Sequence, residues 1–214
     1  MTNPIRIVLI DDHTMVREAL VSVLEDEHTI EIVGFGGSRR EAVQQVREQR
    51  PDVVVLDYNM PNGGALEILE DFARLGLDPK VLVLTVHENM HYAVRALEAG
   101  ANGFLVKSSA VEELVQAIHA VRSGELYITP SLSRHVIDQL RRPRRERIGV
   151  GALSSREFEL LRVMARGLGI KEVASTLKIS VSSASTYRAR VLKKLGLGST
   201  GDLIRFALEN HLVE

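Results

Sequence analysis

Residues 52–57 read DVVVLD, a short run of Val and Leu closed at each end by an aspartate. A nearly continuous apolar run of this length is typical of a parallel strand that is buried on both faces. Four similar runs lie in the first half of the chain: IRIVLI at 5–10, IEIVGF at 30–35, KVLVLTV at 80–86 and GFLV at 103–106. Stretches with apolar residues at helical spacing separate these runs, so the pattern predicts five consecutive βα units.

Right-handed crossovers between such units place helices on both faces of a doubly wound sheet. With five strands, the expected architecture is an α/β flavodoxin-like (βα)₅ fold with parallel strand order 2-1-3-4-5. Ligands of such sheets bind outside the carboxyl ends of the strands. Polar residues end four of the five predicted strands there: Asp11 and Asp12, Asp57, Thr85, and Lys107. Solvation and capping of strand ends explain any one of these residues, but they explain the whole set poorly.

The composition excludes several classes of protein. The chain has 214 residues with 45% hydrophobic residues and no cysteine, which excludes a disulfide scaffold, a thiolate nucleophile and a cysteine-ligated metal. A cytoplasmic location is therefore the expectation. No apolar run is long enough to cross a bilayer, so we expect no membrane association.

The charges are divided unequally along the chain and favour two domains. Residues 1–124 carry 11 Lys+Arg and 19 Asp+Glu, whereas residues 125–214 carry 16 and 9. We predict a first domain at 1–123, a linker at 124–151 with one short helix and a flexible basic stretch, and a second domain at 152–214. A basic second half indicates a polyanionic partner, and the acidic first half indicates a use for carboxylates.

Three carboxylates within several Å of one another repel unless a cation shares their site. A few oxygen ligands that leave room for water and a phosphoryl group suit Mg²⁺ better than Ca²⁺. One of the carboxylates can then act as a nucleophile toward a phosphoryl donor. Lys107 and Thr85 provide an ammonium and a hydroxyl for the phosphoryl oxygens.

The last sixty residues are predicted to be helical. Ser154 and Glu157 form a capping-box pattern that opens a helix through Arg166. A short helix from about Ile170 to Leu177, a turn at 178–180 and a third helix from Val181 to about Leu195 follow, with a fourth helix from near Thr200. Two helices joined by a three-residue turn form a helix-turn-helix, whose second helix enters the major groove.

One side of the third of these helices consists of small, hydroxyl-bearing and cationic residues. Small residues near its start approach base edges, and cations further along contact phosphates. A solvated charged face is the alternative, but a helix-turn-helix in a domain of net charge +4 over residues 152–214 favours DNA. The predicted DNA-binding residues are Lys171, Ser182, Ser185, Thr186, Arg188, Arg190, Lys193 and Lys194.

The combination of IDDH at 10–13, LDYNMP at 56–61, LTV at 84–86 and GFLVK at 103–107 resembles the receiver domain of two-component response regulators. The resemblance implies that Asp57 accepts a phosphoryl group from a sensor histidine kinase. It also implies that Asp12, Asp57 and the main-chain carbonyl of Asn59 hold Mg²⁺ with Asp11 close by. Thr85 and Phe104 would form the switch pair, although a core aromatic on a strand explains Phe104 equally well.

Residues 153–197 are similar to the LuxR-type four-helix domain, so almost the whole chain resembles a NarL/FixJ-like response regulator. The implied function is a transcription factor in which phosphorylation of Asp57 shifts the population toward a homodimer on double-stranded DNA. RNA polymerase is a further partner of such a factor. The resemblance implies no enzyme activity beyond slow autodephosphorylation.

The sequence departs from the family at four places. Val86 follows the switch threonine where many receivers have a smaller residue, which predicts slow phosphorylation from small donors. Position 65 is Ala after Gly63 and Gly64, which predicts a differently shaped loop. Ser108 replaces a common proline, so no cis peptide bond is implied there. The third helix reads Ala-Ser-Thr-Tyr-Arg at 184–188 and lacks a common lysine, so relatives do not predict its target sequence.

Three other functions compete with this one. An aspartate-nucleophile phosphatase would need a second acid two residues after Asp57, but that residue is Asn59. A nucleotide-binding loop at GFGGS, residues 34–38, is a weak match because it does not follow the first strand. A DNA-binding regulator whose receiver only dimerises, without phosphorylation, stays open.

Overall fold

The computed structural model describes residues 3–60, 64–109, 111–143 and 146–212. Four residues that entered the sequence predictions, Pro61 and Gly63 of the loop after Asp57 and Arg144 and Arg145 of the basic stretch, lie outside these ranges. The chain forms two units, residues 1–136 and 137–214. The division falls inside the predicted linker.

In the described part of the first unit, six parallel strands form one sheet in the order β2-β1-β3-β4-β5-β6. The strands are β1 Ile5–Ile10, β2 Ile30–Gly36, β3 Val53–Asp57, β4 Lys80–Thr85, β5 Gly103–Val106 and β6 Tyr127–Ile128. The helices are α1 Thr14–Leu24, α2 Arg39–Gln49, α3 Ala65–Arg74, α4 Met90–Glu98, α5 Val111–Arg122 and α6 Pro130–Arg141. The flavodoxin-like fold and the predicted order of the first five strands are confirmed.

The sixth strand was not predicted, because the βα pattern was expected to stop at Ser123. Tyr127 and Ile128 pair with Gly103 and Phe104 at the edge of the sheet. Two residues are too few to produce a readable alternation of apolar and polar side chains. The strand leads directly into α6, whose start is therefore attached to the sheet.

The central strands are buried on both faces, as their continuous apolar runs predict. Every residue of β3 and β5 is buried, including Asp57 at the carboxyl end of β3. A core of this kind holds the strand ends in a fixed arrangement. The residues that follow β1, β3, β4 and β5 are therefore brought to one edge, where the polar side chains gather.

Among its described residues, the second unit contains four further helices and a 3₁₀ turn at Gly149–Ala152. The helices are α7 Ser155–Ala165, α8 Ile170–Thr176, α9 Val181–Leu195 and α10 Thr200–Glu209. The capping box of Ser154 and Glu157 is present at the start of α7. Gly196 ends α9 in the left-handed conformation, with φ of 67°, where glycine avoids the strain of a side chain.

Part of the predicted flexible basic stretch is ordered. Arg147 is buried, and its Nε donates a hydrogen bond to the carbonyl of Arg142 at 3.2 Å. The 3₁₀ turn follows and buries Val150. Charge alone predicts that a run of arginines is exposed to solvent. The long side chain of Arg147 is instead buried, because its apolar stem can pack while its guanidinium forms a hydrogen bond.

Among the described residues, no helix combines the length and the apolar character that spanning a membrane would require.

Candidate functional site

One lysine connects two buried carboxylates at the carboxyl edge of the sheet. Asp11 follows β1 and Asp57 ends β3, and they are 2% and 5% exposed. Lys107 follows β5, and its Nζ lies 2.6 Å from Oδ2 of Asp11 and 2.7 Å from Oδ1 of Asp57. The structure thus brings together three of the predicted site residues from three different strands.

Burial and ion pairing act in opposite directions on these groups. Burial raises the pKa of Asp57, and the hydrogen bond from Lys107 offsets only part of this effect. Burial also acts to lower the pKa of Lys107, but its bonds to Asp11 and Asp57 raise the pKa above its ordinary value. The ammonium therefore stays charged, and additional positive charge near Asp57 would favour its ionised, nucleophilic form.

His13 joins the two neighbouring acids, and sequence reasoning missed it. Its Nδ1 lies 3.3 Å from Oδ1 of Asp11 and 3.2 Å from Oδ1 of Asp12. The three residues offer ligand atoms that all lie within 4.8 Å of one another. The available signal was the histidine of IDDH, which directly follows the two acids in the sequence.

The acid cluster contains a buried carboxylate oxygen that accepts no hydrogen bond from the described residues, although Nδ1 of His13 lies 3.2 Å from it. Oδ1 of Asp12 is inaccessible to solvent and accepts no hydrogen bond within the described part of the chain. A buried carboxylate oxygen in this state is costly unless a cation approaches it. The donors available here, carboxylate oxygens with an adjoining carbonyl, fit a hard divalent cation such as Mg²⁺.

The loop after β3 holds the Asp57 carboxylate from the other side. The backbone N–H of Asn59 donates to Oδ2 of Asp57 at 2.9 Å, and Nδ2 of Asn59 lies 2.8 Å from Nε2 of His87. A Cβ on Gly64 would lie 2.9 Å from the carbonyl of Tyr58. Position 64 therefore needs glycine.

The predicted switch residues are both completely buried. Thr85 and Phe104 are 0% exposed, and Oγ1 of Thr85 accepts a hydrogen bond from the backbone N–H of His87 at 3.1 Å. In this arrangement the hydroxyl is bonded to the loop that follows β4. Val86, between Thr85 and His87, is 56% exposed.

An aromatic stack supports the loop after β4. The ring of His87 stacks on Tyr92 with centroids 4.5 Å apart, and Tyr92 meets the edge of Tyr58 at 4.9 Å. Tyr92 is completely buried at the start of α4. The loop after β4 is thereby packed, through Tyr92, against the loop that follows Asp57.

In the second unit, α9 exposes the side that was predicted to bind DNA. Its opposite side is buried through Ala184 and Val191. All eight predicted contacts are exposed, namely Lys171 on α8 and Ser182, Ser185, Thr186, Arg188, Arg190, Lys193 and Lys194 on α9. Most of this face is thus available to a partner, although Nη1 of Arg188 donates to Oγ1 of Thr200 at 3.2 Å.

Lys194 has partners inside the second unit. Its Nζ lies 2.7 Å from Oε2 of Glu157 and donates to the carbonyl of Ala152 at 3.1 Å. The pair lowers the pKa of Glu157 although burial acts to raise it. Lys194 is exposed like Lys193, but it differs from Lys193 because these partners engage its ammonium in the packing of α9 against α7.

Comparison with known proteins agrees with both halves of this description. Residues 7–119 match the family model described as the response regulator receiver domain. Residues 151–207 match the model of bacterial regulatory proteins of the luxR family. Fold and matches together define a class of DNA-binding transcription regulators with an acidic receiver. The chain belongs to the response regulators that join a receiver domain to a LuxR-type DNA-binding domain.

Several relatives match almost the full length of this chain. Response regulator UvrY of Escherichia coli K12 is 32% identical over 208 residues, which cover 97% of this chain and 95% of UvrY. Response regulator GacA of Pseudomonas aeruginosa is 31% identical over 210 residues, 98% of each chain. A crystal structure of a LuxR-family response regulator from Aurantimonas, 33% identical, covers 64% of this chain and 98% of its own with a TM-score of 0.61. RcsB of Salmonella typhimurium has the same fold, with 22% identity, a TM-score of 0.77 and coverage of 98% and 99%.

Proposed function

We propose that Asp57 is the phosphoacceptor of this regulator. The observation that carries the proposal is the bridge of Lys107 between Asp57 and Asp11 at the carboxyl edge of the sheet. An oxygen of Asp57 attacks the phosphorus of a phosphohistidine on a sensor histidine kinase, and the phosphorus–nitrogen bond breaks. The Lys107 ammonium then neutralises charge on the transferred phosphoryl oxygens.

Asp12, Asp57 and the carbonyl of Asn59 are proposed to hold Mg²⁺, with Asp11 close by. The buried Oδ1 of Asp12 without a hydrogen bond supports a cation in this cluster. When bound, Mg²⁺ neutralises charge on the carboxylates and on the phosphoryl group.

The switch begins with Thr85. Its hydroxyl bonds to His87 in the structure, and a phosphoryl group on Asp57 offers that hydroxyl a more strongly charged acceptor. Movement of Thr85 would break its hydrogen bond with the backbone N–H of His87 and change the loop after β4. Phe104, the second proposed switch residue, lies on the neighbouring strand β5.

The output is proposed to be homodimerisation and binding to two half-sites of double-stranded DNA. Exposed Ser182, Ser185 and Thr186 would read bases, with Lys171, Arg188, Arg190 and Lys193 on phosphates. The proposed domains are a receiver at residues 1–123, a linker at 124–151 and a DNA-binding domain at 152–214. RNA polymerase is a further proposed partner of the DNA-bound dimer. The proposed location is the cytoplasm, where the DNA is bound. The only proposed enzyme activity is slow autodephosphorylation of Asp57.

The test of phosphorylation uses the full chain with Mg²⁺ and acetyl phosphate. Intact mass is expected to increase by one phosphoryl group in the natural protein and in Asp26→Asn, but not in Asp57→Asn. Sedimentation should show the dimer only where the mass has increased. If Asp57→Asn dimerises and binds DNA like the natural protein, the receiver is a phosphorylation-independent dimerisation module.

A further inference from the structure

The turn between β1 and α1 places the imidazole of His13 beside the carboxylates of the two preceding residues, Asp11 and Asp12. The backbone N–H of His13 donates to Oδ1 of Asp11 at 2.8 Å, which closes the turn. The same oxygen lies 3.3 Å from Nδ1 of the ring, and Oδ1 of Asp12 lies 3.2 Å from that nitrogen. Three ligand atoms from consecutive residues therefore converge at one point.

These separations are close to those within a metal coordination shell. Two adjacent ligands of an octahedral ion, each about 2.1 Å from the metal, lie about 3 Å apart. The observed distances from Nδ1 to the two carboxylate oxygens need only a small change to reach this value. An isolated pair of acids would not provide the nitrogen that completes such a face.

Two of the three ligand atoms, Oδ1 of Asp12 and Nδ1 of His13, form no hydrogen bond with the described residues, whereas Oδ1 of Asp11 accepts the backbone N–H of His13. Oδ1 of Asp12 is buried and accepts no hydrogen bond from the described residues. The His13 side chain is 64% exposed and makes no capping hydrogen bond, although His13 is the N-cap residue of α1. An incoming ion would give the buried oxygen a partner without breaking a hydrogen bond of the ring.

We propose that His13 is a nitrogen ligand of the divalent-cation site and adapts it to transition-metal ions such as Mn²⁺. The inference rests on the divalent site of the proposed function and extends it by one residue. Imidazole favours first-row transition ions, whereas Mg²⁺ favours oxygen ligands and retains its water. His13 therefore increases the affinity of the site for Mn²⁺ and leaves the affinity for Mg²⁺ nearly unchanged.

The test titrates the full chain with Mn²⁺ alone and measures free Mn²⁺ by electron paramagnetic resonance. Electron spin echoes of the bound ion report whether a nitrogen is directly coordinated. His13→Ala is expected to remove the nitrogen signal and weaken Mn²⁺ binding by about tenfold or more, since even outer-shell partners of metal ligands contribute that much. His28→Ala, which removes another exposed histidine of the same unit, should behave like the natural protein.

The outcomes separate this inference from the function on which it rests. Bound Mn²⁺ without a nitrogen signal, or with equal effects of the two substitutions, would overturn the role of His13. Phosphorylation of Asp57 by acetyl phosphate with Mg²⁺ should persist in His13→Ala, and its persistence would leave the proposed function intact. Absence of Mn²⁺ binding to the natural protein would overturn both the role of His13 and the site itself.

Discussion

Lys107 balances two carboxylates that the fold buries together. Removing it leaves Asp11 and Asp57 facing each other without the cation that contacts both. We expect Lys107→Ala to lower the free energy of unfolding by about 3 kcal/mol, because breaking a buried ion pair strands the remaining charge. Urea unfolding without divalent ions measures the loss.

Mg²⁺ should recover part of this loss, since a bound cation again compensates the acids. Lys80→Ala is the matched control, because Lys80 lies at the opposite end of β4 and forms no ion pair with the described residues. An equal loss in both variants would show that the effect comes from the general removal of a lysine.

At the scale of elements, α2 and α3 are joined by a shared carboxylate. Oδ2 of Asp71 lies 2.5 Å from Nε of Arg39, and its Oδ1 lies 2.6 Å from Nη2 of Arg74. The Arg39 guanidinium is the main cause that lowers the pKa of Asp71 to about 2. The pair therefore stabilises the fold above pH ~4, and this contribution is lost as the pH falls toward 2.

Asp71→Asn should lower the free energy of unfolding by about 1–2 kcal/mol at pH 7 and have little effect near pH 2. Urea unfolding at the two pH values provides the comparison. Asp78→Asn, an exposed aspartate without a partner in the described residues, should cost little at either pH. A loss for Asp71→Asn that is independent of pH would contradict the assignment to the charged pair.

The two adjacent lysines of α9 should have different effects. Lys193 is exposed, and Lys194 contacts Glu157 and the carbonyl of Ala152. Lys193→Ala should reduce the slope of log affinity against log salt by about 1, as expected for one lost phosphate contact. Lys194→Ala should leave that slope unchanged and lower the free energy of unfolding by about 1 kcal/mol. Binding to a DNA duplex at several salt concentrations separates the two, and equal slopes would contradict the assignment.

Sequence patterns predicted those elements whose side chains repeat over several turns or strand residues. The limits of β1 and α9 were predicted to the residue, since their apolar residues and the N-cap Ser180 mark the ends. The two-residue β6 has no such pattern. In the site, strand ends located Asp57 and Lys107, but the role of Lys194 depends on a contact with Glu157, 37 residues away. No local pattern encodes such a pairing.

At the scale of the whole molecule, α6 carries the chain from the first unit into the second. The start of α6 is bonded to β5 and to the loop after β4. Thr129 bonds to β5 through Phe104 and Val106, and Oγ of Ser131 donates to Oε1 of Glu88 in the loop after β4 at 2.9 Å. A change in the loop of Thr85 would therefore reach α6 through one side-chain hydrogen bond.

If this bond belongs to the unphosphorylated state alone, Ser131→Ala shifts the equilibrium toward the active state by about 1 kcal/mol. DNA affinity of the unphosphorylated protein should then rise by up to about fivefold. The DNA affinity of the phosphorylated protein should stay the same. The ratio of the affinities with and without phosphorylation should therefore decrease. Fluorescence anisotropy with a labelled duplex, with and without acetyl phosphate, measures both states. Ser133→Ala removes only a bond to Pro130 within the same turn and should leave the ratio unchanged, whereas an equal change in both variants would place the effect in α6 itself.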